Sequence, residues 1–147
     1  MLHVTYEAVE DLEPRRLARI DEERGGLRIK LDKFESLEDV VRQLNIEMVQ
    51  FLDRADWFQL WGEEILSRHT PRSPLAVWFL LECREPFGVE FREGRGVVKI
   101  YIDPILTTEQ FAAVMNPAVK NLLDGGQWFQ QYAGEIIDHS PEPMSRV

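Results

Sequence analysis

Residues 57–59 read Trp57-Phe58-Gln59, and residues 128–130 read Trp128-Phe129-Gln130. The offset of 71 extends outward from these triplets in both directions. Residues 22–66 fall on 93–137 without a gap, and 14 of the 45 pairs are identical. Among them are Gly25/Gly96, Asp32/Asp103, Glu38/Glu109, Asn45/Asn116, Asp53/Asp124 and Glu64/Glu135. Unrelated segments of ordinary composition would agree at about three of these positions. The pattern implies tandem duplication of one supersecondary unit of roughly 70 residues.

Both copies carry the same order of periodicities. Leu2, Val4, Tyr6 and Ala8 alternate with polar residues, as a strand with one wet face does. Leu17–Asp21 and Leu27–Leu31 flank Gly25-Gly26, a pair suited to a hairpin turn. A helix follows, with Ser36 as N-cap and Glu38 and Asp39 at the positive end of its dipole. Its apolar stripe is Leu37, Val40, Val41, Leu44, Met48, Phe51 and Leu52. Trp57, Trp61 and Ile65 predict a second amphipathic helix.

In the second copy, Leu75–Glu82 is nearly all apolar and predicts a central strand covered on both faces. Val89–Glu93 and Val97–Ile102 predict a hairpin. Thr107 with Gln110 forms a capping-box pattern. Pro117 predicts a kink or restart, with Asn116 as a new cap. Trp128, Tyr132 and Ile136 rebuild the second helix.

The expected fold is therefore α+β: a tandem β-β-β-α-α unit, with antiparallel sheet or sheets covered by four helices and related by a pseudo-two-fold. Residues 1–140 form a single domain of two repeats, about 1–71 and 73–140. Residues 141–147 form a flexible tail.

The chain has 147 residues, one cysteine, 15 aromatic residues and a net charge of −9. The charge is spread over both halves and no basic patch stands out, so nucleic acid is not an expected partner. No apolar run reaches the roughly 20 residues that cross a bilayer, so no membrane partner is expected. The first residues lack a basic stretch followed by an apolar one, so no signal peptide is expected. Cys83 has no partner for an internal disulfide, which fits a cytoplasmic protein.

The duplicated carboxylates could serve acid–base chemistry or hold a hard cation. Each also has a local role: Asp32 and Asp103 at strand-to-helix turns, Glu38 and Glu109 in first helical turns, Asp53 and Asp124 between helices. His69 and His139 occupy related settings but lack ligand spacing, and His3 stands apart. Cys83 reads as a buried structural residue. No phosphate loop, dinucleotide fingerprint or nucleophile elbow is present. No cofactor, metal site or catalytic residue is expected.

The leading functional expectation is a non-enzymatic, acidic, monomeric cytoplasmic protein that binds a protein partner. Inhibitors, immunity proteins and accessory chaperones have this character, and a basic partner suits the charge. The alternative is a small-ligand module with an aromatic pocket between the repeats. For either reading the candidate binding residues are Trp57, Trp61, Glu64, Trp128, Tyr132 and Glu135. A third reading is a hydrolase or lyase with paired carboxylates from the two copies.

Overall fold

A computed structural model describes residues 3–10, 12, 16–23, 26–53, 76–94 and 97–125. The elements run β1 (His3–Val9), β2 (Ala18–Glu23), β3 (Gly26–Asp32), α1 (Leu37–Leu52), β4 (Ala76–Leu81), β5 (Val89–Gly94), β6 (Val97–Ile102) and α2 (Thr108–Gly125). The strands form two three-stranded sheets, ordered β1-β3-β2 and β4-β6-β5.

Each sheet is mixed, not antiparallel. β3 pairs parallel with β1 and antiparallel with β2. β6 likewise pairs parallel with β4 and antiparallel with β5. Side-chain alternation identifies a strand but not its neighbour. The eight residues between β1 and β2 in sequence are more than a tight hairpin loop needs, and β1 lies on the far side of β3 from β2. Among the described residues there are two helices, not four. The stretches read as second helices, the linker between repeats and the 141–147 tail lie outside the described residues.

The repeat correspondence shifts in the first strands. Tyr6 stands beside Ile29 and Phe79 beside Ile100, so β1 maps to β4 with an offset of 73. At the start of β3, a Cβ on Gly26 would lie 2.6 Å from the His3 carbonyl oxygen, so the β1–β3 approach requires glycine there.

Helix α1 packs on β2 of its own half and on β4 of the other; α2 packs chiefly on β1. Alternation and helical period converge on one core. Ile29, Leu31, Leu44, Phe79, Ile102, Phe111 and Met115 belong to a single cluster of buried side chains from both halves. Tyr6, Phe79 and Phe111 meet edge to face, with ring centroids 5.9–6.5 Å apart, an arrangement favoured by the ring quadrupoles. Burial raises the Tyr6 phenol well above its ordinary pKa.

Both helix starts follow the sequence. The Asp39 N–H donates to Ser36 Oγ at 3.2 Å. The Gln110 N–H donates to Thr107 Oγ1, and the Thr107 N–H to Gln110 Oε1, a reciprocal capping box. Pro117 does not restart α2, which runs unbroken through it. Pro117 removes the N–H that would bond to the Ala113 carbonyl. Both residues are exposed, so water can reach the released carbonyl.

Candidate functional site

Asn45 and Asn116 join the two halves. The Phe79 N–H donates to Asn45 Oδ1 at 2.8 Å, and Asn45 Nδ2 donates to the Phe79 carbonyl at 2.9 Å. The Tyr6 N–H donates to Asn116 Oδ1 at 2.7 Å, and Asn116 Nδ2 donates to the Tyr6 carbonyl at 2.9 Å. A carboxamide presents one acceptor and one donor in a plane, the same pair that a neighbouring strand would offer. Each helix thus closes the edge strand of the opposite sheet at its central residue. The role expected of Asn116, a helix cap, is replaced by this clamp. Thr108 Oγ1 adds a further link, donating to the Glu35 carbonyl at 3.0 Å.

With the inner faces and two strand edges engaged, the two halves differ most on the outer faces of their sheets. On the β1-β3-β2 sheet, register places Arg28 between Thr5 and Asp21, and Lys30 between Glu7 and Arg19. The charges neutralise one another. Arg28 pairs with Glu7 at 3.3 Å and with Glu23 at 3.1 Å. Asp21 pairs with Arg19 at 3.0 Å and with Lys30 at 3.4 Å.

The corresponding positions of the β4-β6-β5 sheet differ. Lys99 stands between Trp78 and Arg92, and Tyr101 between Leu80 and Glu90. Trp78 is 40% exposed and Leu80 36%. The Arg84 guanidinium lies 4.2 Å from the centre of the Tyr101 ring, a cation–π contact. Arg84 and Arg92 pair with Glu82 and Glu90. Lys99 has no carboxylate partner among the described residues.

β4 is therefore an edge strand with an open outer face, not the covered central strand expected from its composition. Its apolar run has two separate causes. Val77, Phe79 and Leu81 serve the core, while Trp78 and Leu80 face outward.

At one end of this sheet Asp103 gathers a loop. Its carboxylate accepts the Phe87 N–H at 2.7 Å and the Ile105 N–H at 3.1 Å. These bonds, the Phe87 one foremost, hold its pKa below the ordinary value. Phe87 has φ 60°, in the left-handed region, and is 69% exposed. Cys83 is exposed, not buried. Local desolvation of its sulfur, followed by the charge of Asp103, pushes its thiol pKa up.

The other duplicated acids take local roles. Asp32 Oδ1 accepts the Phe34 N–H. Glu38 and Glu109 lie in first helical turns, and Asp53 closes α1. His3 is exposed on β1. The side chain of Asp124, together with His69 and His139, lies outside the described residues. So do all six expected binding residues: Trp57, Trp61, Glu64, Trp128, Tyr132 and Glu135. Sequence reading missed Trp78, Leu80, Lys99 and Tyr101. Aligning the first strands with the 73-residue offset would have exposed the exchange of Thr5 and Glu7 for Trp78 and Leu80.

No family model, no curated protein and no solved structure matches the chain.

Proposed function

We propose that this chain is a non-enzymatic protein-binding module, produced by internal duplication, whose second half docks a protein partner. The docking surface is the outer face of the β4-β6-β5 sheet. An inhibitor, immunity or accessory-chaperone role would use such a surface. The observation that carries the reading is the exposure of Trp78 and Leu80 on a face whose counterpart bears Thr5 and Glu7. Large aromatic side chains dominate the energetics of protein interfaces, and exposing them in water is otherwise unfavourable. A cytoplasmic setting agrees with an exposed cysteine that has no partner within the chain.

Photo-crosslinking in cells tests the reading, with the probe residue placed at position 78 and, as internal control, at position 5. A discrete protein adduct formed from 78 and absent from 5 is expected. Equal labelling from both positions, or none from 78, removes the reading.

A further inference from the structure

We infer that the partner docks through an acidic, apolar segment, with carboxylates meeting Lys99 and bulky side chains covering Trp78 and Leu80. This inference rests on the docking reading above and specifies its chemistry. The first half supplies the comparison. Register maps Arg28 to Lys99, Glu7 to Leu80, Asp21 to Arg92 and Glu23 to Gly94. In the first half Arg28 is neutralised by Glu7 and Glu23. The second half keeps the cation and replaces both of those carboxylates, one by leucine and one by glycine. The third acid becomes a cation, Arg92.

A lysine flanked by tryptophan and arginine on an exposed sheet face has a definite preference. Its ammonium gains from a carboxylate, and among the described residues this face offers none that is free: Glu90 and Glu82 engage Arg92 and Arg84. A docked segment that excludes water around Trp78 strengthens the attraction between Lys99 and an incoming carboxylate. The same segment gains by covering the Trp78 ring and Leu80. A basic segment would place its cations against Lys99 and Arg92, and like-charge juxtaposition is costly at an interface.

The whole-chain charge of −9 favours basic partners at a distance. The local face reverses that preference at contact. Complementarity at contact governs how long a partner is held.

The test uses the full chain and short fluorescein-labelled peptides in which leucine and phenylalanine alternate with Asp/Glu, with Lys/Arg or with Asn/Gln. Binding is read by anisotropy. The acidic peptide is expected to bind at least about tenfold more tightly than the neutral one, and the basic peptide more weakly than either. Lys99→Glu is expected to reduce acidic-peptide affinity about tenfold and to raise that for the basic peptide.

Trp78→Thr/Leu80→Glu, which installs the first-half residues, is expected to abolish the preference. Circular dichroism and melting temperature confirm that each variant is folded. A basic or neutral peptide bound best, with loss in the double variant, overturns the acidic inference and leaves the docking face standing. Failure of all three peptides, or binding indifferent to the double variant, overturns both. Concentration-dependent dimerisation abolished by the double variant makes the occupant a second copy and overturns the inference.

Discussion

The two sheets of this protein share strand order, pairing and a common core, yet their outer faces have opposite characters. On the first, Glu7, Glu23 and Asp21 neutralise Arg28, Lys30 and Arg19 within the sheet. On the second, Trp78, Leu80 and Tyr101 stand beside Lys99, which has no acid of its own among the described residues. Burial and hydrogen bonding constrain the inner faces of both halves equally. The outer faces are not part of that buried core. The difference between them is the basis of the docking reading proposed above, and a single face viewed alone would not reveal it.

That comparison can be strained at several depths. The deepest concerns the shared ring cluster. Phe79→Ala is expected to cost about 3–5 kcal/mol, in one urea transition that removes the order of both halves together. Two separate transitions would show that the halves stand independently. Next come the clamps. Asn45→Ala and Asn116→Ala are each expected to cost about 2 kcal/mol, since each strips two hydrogen bonds from the backbone of a buried strand residue. A large inequality between the two would break the reciprocity of the halves.

The paired aspartates give a pH test. Asp103→Asn is expected to lower the melting temperature more than Asp32→Asn, because Asp103 accepts two backbone N–H groups where Asp32 accepts one. The folded-state pKa of Asp103 is depressed, so as pH falls the unfolded state takes up the proton first. Its contribution is complete above the ordinary value of 3.8 and is lost as pH falls below it, through the folded-state pKa. The gap between wild type and Asp103→Asn, followed by thermal melts across acid pH, is expected to close in that range.

Smaller effects complete the series. Phe87→Gly is expected to raise stability by about 1 kcal/mol, because glycine adopts φ 60° without the Cβ clash. The smallest is Trp78→Thr/Leu80→Glu, expected to change stability by about 0.5 kcal/mol or less, as exposed residues outside the core do. A large loss in chemical denaturation would show that these side chains hold the fold together.

Much of the architecture could be read from residues alone. The six strand segments, both first helices, the Ser36 cap and the Thr107–Gln110 box all follow from periodicity and local hydrogen-bonding chemistry. What eluded reading was relational. Nothing in the alternation of Val4, Tyr6 and Ala8 states that β1 lies parallel to β3. Asn45 and Asn116 were visible as an identical pair, but a polar residue on an apolar helix face does not declare which strand edge it meets. Nor does an apolar run such as Leu75–Glu82 distinguish a strand buried on both faces from one that feeds a core and a docking face in alternation. The expected binding residues around the two Trp-Phe-Gln triplets lie outside the described part of the chain.

The Asn116 clamp reaches back 110 positions to Tyr6, and this sets a timetable for synthesis. While the nascent chain emerges from the ribosome, β1 can meet β3, but its closing helix has yet to be made. Helix α1 likewise waits for Phe79. Closure of the β1 edge therefore awaits α2, whereas β4 meets its clamp on α1 as soon as it is made. During translation the amino-terminal half presents an unclosed strand edge to its surroundings until α2 is made, a hazard that β4 escapes because its clamp precedes it in the chain.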